Sequence, residues 1–173
     1  MSSRKKVVCG VLFVPALLAL VFVGRETVHW YHYEQLEREG KLKASISGVQ
    51  VPEVIHPGEM VACRATVDNQ GSEMWKEGTH YFALGSFERD WLGQRRPSRM
   101  HLTRTDKQEE VKNGDRLKVP DDELPLIVGS MWVAQFFVKA QSEPGHYTTY
   151  LQMVKEGETW FGKTISFEIT VVP

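Results

Sequence analysis

The sequence predicts a mainly β chain: an antiparallel β-sandwich preceded by one N-terminal transmembrane α-helix. Three observations predict it. Residues 7–23 form an unbroken apolar run, apolar and polar residues alternate with period two from Ile46 onward, and turn-forming residues separate the alternating runs. Composition agrees. Of 173 residues, 42% are hydrophobic and 25% charged, and the net charge is −1. That is the balance of a folded domain, since a disordered chain carries fewer apolar residues and more net charge. The lack of a basic excess argues against a nucleic-acid partner. Two cysteines are too few for a disulfide scaffold.

The first element is VVCGVLFVPALLALVFV, Val7 to Val23, which contains no charged side chain. As a helix it spans roughly 25 Å, a little short of the about 30 Å hydrocarbon core, and Gly24 with its flanking turns supplies the rest. Arg4, Lys5 and Lys6 precede it and hold the N-terminus in the cytoplasm by the positive-inside rule. The expectation is therefore a cytoplasmic tail at 1–6, an inner-membrane helix at 7–24 and a periplasmic remainder. The run is longer than a signal-peptide core and no Ala-x-Ala site ends it, so it reads as a retained signal-anchor. Trp30, Tyr31 and Tyr33 follow as a membrane-interface aromatic cluster. Residues 25–43 read as a stalk helix, with Glu34–Arg38 and Glu37–Lys41 as i,i+4 pairs and Gly40 at its end. His29 and His32 share a face of it, but no third ligand lies nearby and metal sites usually need three or four. The helix is open to lipid or pigment contact; no cofactor is expected.

The outer domain spans residues 44–173. In Met60–Asp68, Val61, Cys63, Ala65 and Val67 share a face. Trp132, Ala134, Phe136 and Val138 do so in Met131–Lys139, and Tyr147, Thr149, Leu151 and Met153 in His146–Val154. Ile165, Phe167, Ile169 and Val171 do so in Lys163–Val172. Ser45–Val51 and Thr79–Gly85 are weaker strand candidates. His56-Pro57-Gly58, Asn69-Gln70-Gly71, Asn113-Gly114-Asp115, Pro144-Gly145 and Glu156-Gly157 mark the turns. Each strand offers one apolar face, and two stacked sheets hide all of them. Cys63 reads as a small buried hydrophobe that Cys9, in the membrane run, does not reach. Trp75, Trp132 and Trp160 read as core.

Several motifs carry a resemblance. Asn69-Gln70-Gly71-Ser72-Glu73-Met74-Trp75 is similar to the N-x-G-x-x-x-W opening of the four-tryptophan Ig-like domain of selective-autophagy receptors and bacterial surface proteins. Val119-Pro120, Pro144-Gly145-His146-Tyr147, Gly157 and Phe161-Gly162 resemble its later motifs, so the likeness runs from about Val51 to Val172. Of the name-giving tryptophans, Trp75 falls in register, whereas Ala65, Leu151 and about Ser166 stand where the others would. The resemblance implies an Ig-like sandwich acting as a non-catalytic interaction module. Gly71, Trp75, Tyr147 and Gly162 are its structural positions here. Tyr147, after its Pro-Gly turn, suits a hydroxyl-to-backbone corner bond.

No nucleophile elbow, H-E-x-x-H, C-x-x-C, P-loop or G-x-G-x-x-G is present. Asp121-Asp122-Glu123 lacks the spaced oxygen ligands of a calcium loop. The chain therefore does not read as an enzyme. Phe87–His101 stands out, with Trp91, Leu92, Arg95, Arg96 and Arg99 as candidate partner-binding residues. It reads equally as a solvated loop whose arginines pair with Glu88 and Asp90. Leu124–Gly129 reads as a core strand or a docking edge, with the core favoured. The function expected is a structural accessory subunit of a larger membrane complex, such as a respiratory or photosynthetic one, although no residue selects the host. The alternative is a free-standing anchored module that binds a peptide, a glycan or an envelope protein.

Overall fold

The computed structural model describes residues 40–104 and 115–173. Residues 1–39, where the cytoplasmic tail, the membrane helix and most of the stalk are expected, with Trp30, Tyr31 and Tyr33, lie outside the described residues; residues 40–43, expected to close the stalk helix, are a turn and irregular chain. Among the described residues, no helix is long and apolar enough to cross a membrane. The chain divides into two units, and the second spans Gly40–Pro173. Leu42 is already buried in it.

This unit is mainly β. Its strands are β1 (Ala44–Gln50), β2 (Val54–Ile55), β3 (Met60–Asn69), β4 (Phe82–Arg89), β5 (Arg95–Pro97), β6 (His101–Thr103), β7 (Arg116–Lys118), β8 (Met131–Lys139), β9 (Gly145–Lys155) and β10 (Thr159–Val171). One sheet has the order β1-β3-β8-β6. The other has the order β2-β10-β9-β4-β5, with β7 also on β4. All pairings are antiparallel except β2 with β10, which is parallel.

The alternation in β3, β8 and β9 becomes burial: Cys63, Ala65 and Val67, then Trp132, Ala134, Phe136 and Val138, then Tyr147, Thr149, Leu151 and Met153. A pleated strand sends successive side chains to opposite faces, so a strand with one wet face alternates in sequence. At the centre Trp75, 0% exposed, stacks on Phe82 at 5.3 Å, while Phe161 meets both rings edge-on.

β4 differs from its sequence expectation. It begins at Phe82, not Thr79, and extends to Arg89. Residues 82–87 are buried without alternation. Phe82 and Leu84 point to the core, while Ala83, Gly85 and Phe87 sit beneath side chains on the other face. With both faces covered there is no period-two signal.

The turn after β3 is built on Asn69, also 0% exposed. Its Nδ2 donates to the carbonyls of Glu73 and Leu126, both at 2.9 Å, and its Oδ1 accepts from the Gly71 amide at 3.1 Å. Gly71 is required because a Cβ there would lie 2.1 Å from the Lys41 carbonyl oxygen. Trp75 and Leu126 exchange both backbone hydrogen bonds, so Leu124–Gly129 divides. Leu126 is core, whereas Ile127 and Val128 are exposed.

Candidate functional site

The β4–β5 connection is a tight turn organised by Asp90. Its backbone amide donates to the Gln94 carbonyl, its carbonyl accepts from the Gly93 amide, and its Oδ1 accepts from the amides of Leu92 (3.0 Å) and Gln94 (2.9 Å). Its Oδ2 takes the Arg96 guanidinium at 3.0 Å. Desolvation would raise the Asp90 pKa, but the Gln94 and Leu92 amides and Arg96 outweigh it and hold the carboxyl below its ordinary value. Gly93 sits at φ +75°, where a side chain would be strained. The turn lifts Trp91 and Leu92 into solvent, 89% and 58% exposed.

The candidate arginines separate by strand face. Arg95 pairs across the strands with Arg89, and Arg96 with Glu88, so the two consecutive arginines point to opposite sides. Arg96 is held by Asp90, and Arg99 by Glu88 through its backbone amide and Nε, both at 2.8 Å. For these two, the local pairing anticipated in sequence is what forms. Solvent screens such surface pairs, so they position the arginines more than they stabilise the fold.

Arg95 turns to the outer face of the larger sheet and joins a stack. Its guanidinium carbon lies 4.7 Å from the Phe87 ring centre and 4.6 Å from that of Trp160. Arg116 lies 4.3 Å above the same indole, and Arg89 lies 5.2 Å from Tyr150 and 5.5 Å from Phe87. Cations over aromatic faces are attracted by the ring quadrupole, by about 0.5–1 kcal/mol where exposed. Trp160, expected in the core, is instead half-buried in this stack. The reason is register: it pairs with Val154, an outer-face residue, while Phe161 takes the core side.

Gln152 positions Arg95. It is buried beneath the stack, its Nε2 donates to the Gly162 carbonyl at 2.8 Å, and its Oε1 accepts from Arg95 Nη2. Gly162, at φ +74°, sits where the β9–β10 register shifts, and a Cβ there would lie 2.6 Å from the Ala44 carbonyl oxygen. Burial, followed by repulsion from Arg89 and Arg116, pulls the Arg95 pKa down from its ordinary value. Asp115 (3.0 Å) and Glu156 (3.3 Å) neutralise Arg116. What the face offers chemically is N–H donors, positive charge and ring surface.

Sequence reasoning missed Arg116, Tyr150 and Gln152, and it held Phe87 and Arg89 within the Phe87–His101 segment without naming either as a binding residue; Phe87 is buried. Phe87/Arg89 and Tyr150/Gln152 each stand two apart, the spacing of one strand face, but the register joining them is not visible in one sequence. Tyr147 Oη donates to the Glu143 carbonyl at 2.7 Å, and Arg99 lies 4.9 Å over its ring. Burial pushes the Cys63 thiol up to about 11. A groove of about 440 Å³ on the smaller sheet is lined by Gln50, Arg64, Arg104, Gln135 and Phe137, among others. Among the described residues, no group of three or more His, Cys, Asp or Glu could hold a metal ion.

No family model matches the chain, and no curated protein matches it. Among solved structures it is similar to AvmM, which catalyses macrocyclization in alchivemycin A biosynthesis. The identity is 18% and the TM-score 0.45, over 76% of this chain and 89% of that one. It is also similar to a conjugate transposon protein of Bacteroides vulgatus (15%, TM-score 0.40, 76% and 85% covered). A third is a conjugative transposon lipoprotein of Bacteroides eggerthii (8%, TM-score 0.34, 73% and 94% covered). At these identities and TM-scores, none lends its activity to this chain.

Proposed function

We propose that this chain is a membrane-anchored, non-catalytic interaction module: an accessory subunit of a larger membrane complex, with its N-terminus cytoplasmic and its β domain periplasmic. The carrying observation is Trp91, almost wholly exposed at the tip of a turn that Asp90 fixes with backbone and side-chain bonds. A large apolar side chain left in water on a rigid support suits a partner's pocket, since the turn is ordered before binding and little entropy is lost. The immunoglobulin-like reading belongs to the same proposal. β1-β3-β8-β6 facing β2-β10-β9-β4-β5 follows the order ABED against A′GFCC′, and the Tyr147–Glu143 bond has the form of a tyrosine corner. The likeness to four-tryptophan Ig-like domains rests on the Asn69–Trp75 turn.

The test is native mass measurement after mild solubilisation of membranes carrying the full chain. The proposal expects migration well above the 19.8 kDa of the lone chain, and loss of the partners with Trp91→Ala at an unchanged melting temperature. A wild-type chain migrating alone would sink it.

A further inference from the structure

We propose that Arg89 and Arg95, side by side on the outer face of the larger sheet, receive an acidic polypeptide segment of the partner. This rests on the interaction-module reading and names the partner's chemistry. Charge accounting across the face motivates it. Arg116 is met by Asp115 and Glu156, Arg96 by Asp90 and Arg99 by Glu88. Arg89 and Arg95 have no carboxylate partner among the described residues. Arg89 donates to the Gly93 carbonyl and Arg95 to Gln152 Oε1, both neutral acceptors.

The two residues are direct cross-strand neighbours. Like charges in that relation destabilise a sheet, and here the rings of Phe87, Tyr150 and Trp160 hold them in place. A guanidinium has five N–H donors, and most of them on this pair have no protein acceptor among the described residues. The arrangement is a preformed pair of forks for carboxylate oxygens. Gln152, anchored on the Gly162 carbonyl, fixes one fork, and the Asp90 turn fixes the other through Gly93. Trp91 and Leu92 follow Arg89 after Asp90, whose carboxylate is taken by Arg96, and add exposed apolar surface. Two cations beside two large apolar groups fit glutamate or aspartate side chains flanking an apolar residue. A sulfated glycan or a phosphate would use the charges and leave the apolar surface idle.

The test uses the full chain in phosphatidylcholine nanodiscs and a fluorescein-labelled peptide of glutamates bracketing one leucine. Expected are saturable binding that weakens as salt rises and no binding of the glutamine-for-glutamate peptide. Arg89→Gln with Arg95→Gln should lose about tenfold or more in affinity, the scale of losing a charge-assisted fork. Arg64→Gln, which removes an exposed cation on β3 of the smaller sheet, should change it less than about twofold. Arg95→Lys should fall between, keeping the charge without the fork. If Arg95→Gln unfolds, Arg89→Gln alone carries the test, since its side chain is exposed. Absence of saturable binding, equal binding of the glutamine peptide, or indifference to the Arg89/Arg95 change would each overturn the proposal. So would dextran sulfate binding the pair where the glutamate peptide does not. A chain that migrates with partners in native mass but ignores the peptide would sink this inference and leave the module reading standing.

Discussion

Replacing Asn69 with alanine should cost this domain more than any surface change. Asn69 is fully buried and makes three side-chain hydrogen bonds, to the Glu73 and Leu126 carbonyls and from the Gly71 amide. A buried intramolecular hydrogen bond contributes a net of about 1 kcal/mol, and a buried group left unpaired costs about 1–3 kcal/mol. The Leu126 carbonyl keeps the Trp75 amide and the Gly71 amide keeps the Lys43 carbonyl, so the Glu73 carbonyl alone is left unpaired. That group and the two other lost bonds together give about 3–5 kcal/mol, reduced where water reaches the vacated space. For a unit of this size, each kcal/mol moves the melting temperature by roughly 3–5 °C, so Asn69→Ala should fall by at least ~10 °C. Asn69→Asp sharpens the test. Ionised, it would point a carboxylate at two carbonyl oxygens; protonated, it recovers one donor. Its folded-state pKa should therefore lie above the unfolded value. The sign follows: the folded state holds the proton more tightly, so Asn69→Asp is most stable at low pH and loses stability as pH rises through the folded pKa. Urea unfolding of the wild type and both variants across acidic and neutral pH measures this. A loss below about 1 kcal/mol for Asn69→Ala, or an Asn69→Asp variant whose deficit is the same at every pH, would refute the account of this turn.

Three further outcomes are expected. Gly85→Ala places a Cβ 2.6 Å from the Trp160 ring, so the indole must leave the Arg95–Arg116 stack; urea unfolding should show a loss of about 1–3 kcal/mol, with red-shifted tryptophan emission. Tyr147→Phe removes the donor to the Glu143 carbonyl and should cost about 1 kcal/mol in the same assay. The Cys63 thiol, with its pKa raised from 9.0 to about 11 by burial, should resist iodoacetamide at mildly alkaline pH until the domain is unfolded. Because the folded state keeps that proton, its contribution is complete below pH 9 and is lost as pH rises through about 11. Cys63→Ala should therefore show a shallower alkaline decline than the wild type.

How much could be read in advance follows from which surfaces are wet. β3, β8 and the first half of β9 have one buried face, and their alternation named the core residues; from Leu151 to Val154 both faces of β9 are covered. β4 is covered on both sides, by Trp75 and its neighbours below and by the arginine stack above, so no period marked its bounds. β5, β6 and β7 have three residues each, too short for any period to register. In Arg95-Arg96 the sequence presents two like neighbours, and a pleat sends one to the aromatic stack and the other to Asp90. Asn69-x-Gly71 was legible as a turn; the reach of Asn69 across the chain to Leu126 was not, because it depends on a contact between distant residues.

The parallel contact of Val54 and Ile55 with Thr170 and Val171 bears on mechanics. The second strand of the domain and its last strand lie alongside each other and run the same way. Tension applied between the two ends of the domain therefore loads these bonds in shear, so they must give way together instead of unzipping one at a time. A tethered domain built this way withstands a pull along its own chain better than one whose terminal strands form a hairpin.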